Sequence, residues 1–284
     1  MVHGFNVIKV LNNNVVMARD ETTGEEAVLV GKGLGFNAKP GEKVKEKIEK
    51  VFYFFDESQL NQYKNILNSI DRRIIGLTEE ILAMAEKELA EPLNEHIHVA
   101  LADHISFTLE RLSGGLEIEN PFLEEIKALY PQDYELASKA CSMIEKKFDV
   151  KIPDGEKGFI AMHLHAARKN NELSRTVKYT SMINKMVEII EQELDINLDR
   201  NEVNYARLLV HLRFALQRVE NGISIKNPLL FHIKKEFAKS YKIAEKIGRF
   251  IKESLGKLPP RDEIGYLALH IQRIYIERQG GQNA

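Results

Sequence analysis

Four histidines set the question of what chemistry this chain could perform. His104 and His163 lie 59 positions apart, and His211 and His270 repeat that spacing 107 residues further on. The same shift, with no gap, carries Arg111 onto Arg218, Asn120-Pro121 onto Asn227-Pro228 and Tyr134 onto Tyr241. It also carries Glu156 onto Glu263 and Ala161-Met162-His163 onto Ala268-Leu269-His270. Apolar helix faces preserve themselves readily in any repeat; polar imidazoles in matched places do not follow from core packing alone. A single such histidine reads as a satisfied core residue. Four in register point instead to shared chemistry. A neutral, partly exposed imidazole is a nucleophile that can accept a phosphoryl group, which turns a neutral site into a multiply charged one.

Other chemistry finds less support. His96-x-His98 and His163-x-His165 look like chelating pairs, but helix positions i and i+2 point about 200° apart. The i, i+4 spacing of helical zinc sites is absent. No Ser-His-Asp or Cys-His set can be assembled by spacing. The single cysteine, Cys141, cannot form an intramolecular disulfide; it reads as a small buried hydrophobe in a reducing compartment. No catalytic residue, metal or cofactor is expected.

A second candidate lies near the front. In Gly31-Lys32-Gly33-Leu34-Gly35-Phe36 the place of the third glycine of a dinucleotide fingerprint is taken by Phe36, and no P-loop lysine is present. Two readings stand. One is a plain turn. In the other, exposed amides, Lys32 and an aromatic ring form a nucleic-acid site beside the Asn12-Asn13-Asn14 turn. Asparagine can bond base edges and an aromatic ring can stack on an unstacked base, which suits bulged RNA better than duplex DNA.

The elements that must position these residues fall into two kinds. Residues 1–55 alternate with period 2 and predict strands over 5–11, 15–18, 26–30 and 44–55, with a turn at Asp20–Gly24. Four short antiparallel strands make a marginal core, so this unit is expected to dimerise. Beyond Phe55 the period becomes helical. Helices are predicted over 59–76, 78–90, 94–113, 121–130, 133–148 and 155–169, then 175–194, 200–220, 228–238, 240–254 and 261–278. Five later helices echo five earlier ones, so each copy is expected to be a compact helical bundle, followed by a frayed tail at Gly280–Asn283. The 284 residues, 44% apolar and 29% charged, fit an ordinary globular protein. A net charge of −2 gives no basic field to attract a polyanion, leaving only a small site read by shape and amides. No apolar run approaches the roughly 18 residues of a membrane span and no signal-peptide core is visible, so a cytoplasmic location without membrane insertion is expected.

These residues resemble a known family: the transcriptional antiterminators of the BglG/SacY group, which the sugar phosphotransferase system controls, and within it the glucose-type branch. Leu11-Asn12-Asn13-Asn14 and Gly31 to Phe36 look like the two halves of the family's RNA-binding module. Leu93 to His104 and Gly158 to His163 look like signatures of its first regulatory domain, and His211 and His270 fall where the second carries its histidines. The resemblance implies a dimeric all-β RNA-binding domain over 1–57 and two all-α regulatory domains over 58–173 and 174–284. It implies RNA contacts at Asn12, Asn14, Gly31, Lys32 and Phe36, and phosphorylation at His104, His163, His211 and His270. The implied partners are a leader-mRNA hairpin, a sugar permease acting on the first regulatory domain, the histidine-phosphorylated phosphocarrier protein acting on the second, and a second copy of the chain. Family members often carry Arg where Lys32 stands, which favours a charge contact over a bidentate one. Val210 stands where the first copy has Asp103, so if Asp103 orients His104 the two sites differ. Two other classes compete. A DNA-binding activator with the same regulatory repeats would need a helix-turn-helix in residues 1–55; a helical metalloenzyme would need a ligand cluster.

Overall fold

The change of period near residue 55 divides strands from helices in the computed structural model, which describes residues 4–44, 46–54, 56–200 and 202–281. Phe55, expected to end the last strand, and Gln282 and Asn283 of the expected tail lie outside these residues. Four strands, β1 (Phe5–Val10), β2 (Val15–Asp20), β3 (Glu26–Val30) and β4 (Lys50–Tyr53), form an antiparallel sheet in the order β1-β2-β3-β4. Val7 pairs with Ala18, Val16 with Leu29 and Val28 with Phe52, and a bulge between Val7 and Lys9 shifts the register of β1. Phe5, Val7, Val16, Ala18, Ala27, Leu29 and Leu34 fill one core. The run Val15–Ala18 is buried without alternation because helix α2 covers β2 and β3 from the other side.

The last strand is shorter than the expected 44–55. It pairs only over Lys50–Tyr53, because β3 offers a partner no further than Val30 before the chain turns at Gly31. The charged stretch before it has few apolar side chains with which to hold a longer ladder.

The helices of the first repeat are α1 (Glu57–Ser69), α2 (Arg72–Leu89), α3 (His96–Ser113), α4 (Leu123–Leu129), α5 (Pro131–Phe148) and α6 (Asp154–Arg168). Those of the second are α7 (Leu173–Leu194), α8 (Val203–Asn221), α9 (Leu230–Glu236), α10 (Ala238–Leu255) and α11 (Arg261–Gly281). The first break falls at Ile70-Asp71 rather than at Gly76. Asp71 caps α2, its carboxylate accepting from the Arg73 amide at 2.8 Å, and that cap starts a new helix inside the expected 59–76 span. Gly280 and Gly281, expected to fray, continue α11.

By packing, the chain divides into two compact units: Met1–Pro121 with Gln132–Leu173, and Phe122–Pro131 with Ser174–Ala284. In the first, α3 packs on α1, α2 and α6. In the second, α8 and α9 pack on α11, and α4 packs on α8. There Tyr205 donates to Glu125 at 2.5 Å and Arg213 to the Leu129 carbonyl at 3.1 Å. Among the described residues no helix is long and apolar enough to cross a membrane.

Candidate functional site

Two loops at one end of the sheet are locked together by their backbones. In the β1–β2 turn the Asn12 side chain accepts from the Asn14 amide at 2.7 Å. The loop after β3 docks on this turn: Gly31 donates to the Asn14 carbonyl, Gly35 to the Asn13 carbonyl and Gly33 to the Asn14 side-chain oxygen, at 2.9, 2.9 and 3.0 Å. Gly33 takes a positive φ of 73°. A Cβ on Gly35 would lie 2.0 Å from the Asn12 carbonyl oxygen, so no larger residue allows this approach. The packed loops display Lys32 and Phe36, whose ring is 65% exposed. Asn12, Asn14, Gly31, Lys32 and Phe36, far apart in sequence, are thereby brought to one end of the sheet. The two asparagines are half-buried, and their side-chain amides donate to the two oxygens of Glu80 on α2, at 2.7 and 3.1 Å.

The first histidine pair is also assembled by packing. His104 on α3 and His163 on α6 have ring centroids 5.0 Å apart. Burial, and then the neighbouring His104, push the pKa of His163 down to about 3, so its ring stays neutral at physiological pH. Glu156 lies 3.2 Å from Nε2 of His104 and accepts from Arg111 at 2.7 Å and Thr108 at 2.9 Å. Burial alone would raise the pKa of this carboxyl; its contacts with His104, Arg111 and Thr108 outweigh that and bring it to about 2. Nε2 of His104 is buried and off the line of a good hydrogen bond, so the contact with Glu156 is electrostatic more than directional. The carboxylate that faces His104 thus comes from Glu156; Asp103, its neighbour in sequence, is exposed.

The second pair differs. His211, exposed on α8, and His270, half-buried on α11, stack with centroids 3.6 Å apart and planes 19° from parallel. Burial, then His211, Arg218 and Arg273, lower His270 to about 4. Arg218 grips both oxygens of Glu263 at 2.9 and 2.6 Å. Ala215 stands in the place of Thr108. Each site therefore presents two clustered imidazoles beside an Arg–Glu pair whose glutamate is buried, with a carboxylate held against the histidine in the first site.

The chain matches a CAT RNA binding domain over residues 5–61 and a PRD domain twice, over 79–167 and 184–274. The chain belongs to the BglG/SacY-type transcription antiterminators. It is similar to the transcription antiterminator LicT of Bacillus subtilis strain 168, 33% identical over 94% of this chain and 98% of that protein. It is also similar to the PtsGHI operon antiterminator of the same organism, 36% identical over 95% and 97%. A crystal structure of GlcT CAT-PRDI superposes with a TM-score of 0.51 and 39% identity, covering 59% of this chain and 99% of that one.

This antiterminator is thus a regulatory RNA-binding protein of the phosphotransferase-controlled group, not an enzyme. The histidines of its two His-x-His pairs are separated as their spacing requires. His96 is exposed, whereas His98 is buried against Glu79 at 2.7 Å and the Phe52 ring. His165 binds Asp133 at 2.9 Å, away from His163. Among the described residues no group of three or more His, Cys, Asp or Glu could hold a metal. Cys141 is buried, and burial pushes its thiol up to about 12. Sequence reasoning assigned no role to Glu156, Arg111, Arg218, Glu263 or Glu80. The first four were marked by the 107-residue repeat; Glu80 carried no signal.

Proposed function

We propose that this antiterminator binds a partly mismatched hairpin in nascent leader mRNA as a dimer and blocks an overlapping terminator, so that polymerase reads on into a sugar-transport operon. The contacts are Asn12, Asn14, Gly31, Lys32 and Phe36. The observation that carries this reading is the display of an exposed ring and an exposed lysine on two glycine-locked loops beside paired asparagines. Phe36 stacks on an unpaired base and Lys32 supplies charge to the backbone. Similarity to the glucose-type branch supports glucose as the sugar. We assign residues 1–57 to RNA binding, and 58–173 and 174–284 to regulation, all acting in the cytoplasm. The sheet over residues 5–53 speaks against the DNA-binding alternative, which needs a helix-turn-helix there.

The switch is phosphorylation of His104 and His163 by the sugar permease, with His211 and His270 phosphorylated by the phosphocarrier protein. Neutral imidazoles, as burial imposes at His163 and His270, keep a lone pair for attack on phosphorus. Phe107, Leu116 and Ile118 are exposed on the first repeat, and Phe214, Ile223 and Ile225 occupy the same places on the second. Matched apolar exposure near both histidine pairs suits self-association of the regulatory domains. A gel shift of the full chain with a partly mismatched RNA hairpin tests the reading. Asn14→Ala and Phe36→Ala lose binding if it holds; unchanged affinity in either places the site elsewhere.

A further inference from the structure

The residues that would read RNA already have a partner in the chain. The Asn12 amide donates to one oxygen of Glu80 at 2.7 Å and the Asn14 amide to the other at 3.1 Å. An asparagine NH2 group can donate only to acceptors, and RNA offers it acceptors of the same kind: base carbonyls, ring nitrogens and phosphate oxygens. One carboxylate therefore takes an N–H from each of the two asparagines. The approach is close along the helix as well. Gly76 lies one turn before Glu80 on the same face of α2, and a Cβ there would stand 2.5 Å from the Asn12 side-chain nitrogen. Next to this contact, a groove of about 1120 Å³ is lined by Lys32, Lys47 and Lys50 and, on α2, by Glu80, Glu86 and Lys87. Lys50 is ion-paired with Glu86 across it.

We propose that α2 is an intramolecular competitor for RNA: Glu80 holds Asn12 and Asn14 in the RNA-free chain, and RNA binds only when α2 gives up this contact. The inference rests on the assignment of Asn12 and Asn14 to RNA and adds a regulatory contact to it. It makes the RNA face responsive to the first regulatory domain within a single chain, independently of any change in dimerisation.

The test uses the full chain and a synthetic, partly mismatched RNA hairpin, with affinity read by fluorescence anisotropy and folding by circular dichroism. Glu80→Ala tightens binding about tenfold or more, since a hydrogen bond to a charged group is given up by the unbound state alone. Gly76→Ala, which wedges α2 away from Asn12 without altering charge, moves affinity the same way. Glu88→Ala removes the same charge from the same helix with no asparagine contact, and leaves affinity within about twofold of wild type, as a screened surface charge does. Asn14→Ala loses binding. If Asn14→Ala loses binding while Glu80→Ala and Gly76→Ala bind as wild type, the competitor is overturned and the RNA assignment stands. A gain in Glu88→Ala equal to that in Glu80→Ala overturns it too, in favour of bulk charge. If Asn14→Ala binds as wild type, the RNA assignment fails and the competitor with it.

Discussion

Phe36 shows how much a single side chain can contribute. A large ring 65% exposed on a loop otherwise held by backbone bonds gives nothing to the core, so its role lies outside the fold. Stacking on a base is worth ~1–3 kcal/mol, so Phe36→Ala weakens hairpin binding roughly 5- to 150-fold while the circular dichroism spectrum is unchanged. His163 makes the opposite case, a residue whose environment controls its charge. Burial holds its pKa near 3, against 6.5 for an exposed ring. Between those values the unfolded chain binds a proton that the folded chain refuses, so this group's share of stability is intact above 6.5 and declines as the solution is acidified. By pH 5 the loss relative to pH 7 is about 2 kcal/mol. Urea titrations at the two pH values should show that His163→Gln removes about this much of the wild-type difference; an identical pH dependence in both proteins would mean the ring accepts its proton in the fold.

Glycine does at the scale of elements what apolar burial does elsewhere: it decides how closely two segments approach. The two loops meet because Gly35 leaves room for the Asn12 carbonyl, and any Cβ would sit 2.0 Å from that oxygen. Gly35→Ala must therefore separate the loops. We expect it to reduce hairpin binding by more than tenfold, since both asparagines and the lysine–aromatic loop would lose their common frame, and to lower the melting temperature as well. Retention of full affinity would show that the loops need not be locked to bind. The two repeats also use equivalent short helices differently. In the first repeat α4 follows Asn120-Pro121 and packs on α8, whereas α9 follows Asn227-Pro228 and packs on α10 and α11. The same local sequence pattern makes the same seven-residue helix, and tertiary contacts choose what it covers.

For the whole molecule the proposed switch is electrostatic. A phosphoryl group carries roughly −1.5 to −2 charges by analogy with phosphorylated hydroxyls. Two such groups facing each other at ~8 Å across a dimer axis repel by roughly 5–8 kcal/mol at an effective dielectric near 20, and counterions leave a few kcal/mol of that. A few kcal/mol suffices to undo a regulatory dimer. His104→Asp, which places a permanent charge beside Glu156, is therefore expected to sediment as a monomer at micromolar concentration and to antiterminate poorly. His104→Ala is expected to escape repression by the permease in cells deprived of the sugar. A dimeric His104→Asp protein with full RNA affinity would falsify charge separation as the mechanism. Phe107→Glu, in the exposed patch one turn from His104, should also shift the sedimentation profile towards monomer, and a profile like wild type would put the dimer face elsewhere.

Much of this was determined by the sequence alone. Period 2 before residue 55 and period 3.6 after it separate sheet from bundles because the two backbones place side chains at those intervals whatever the surroundings. The ungapped 107-residue repeat marked the four histidines, and with them Arg111, Glu156, Arg218 and Glu263. The glycine and asparagine loops marked the residues proposed to meet RNA. What remained depended on contacts between segments remote in the chain. That β4 pairs only over Lys50–Tyr53 follows from where β3 ends. That Glu156, and not the adjacent Asp103, faces His104 follows from the packing of α6 on α3. Gly76 reads as a helix end in one dimension; in three it is the place where Asn12 reaches α2. Glu80, an ordinary glutamate on an amphipathic helix, acquires its role only because the fold sets it against Asn12 and Asn14. Local periodicity is written into a sequence by backbone geometry, whereas the partner of a polar side chain is set by the tertiary packing that carries the two together.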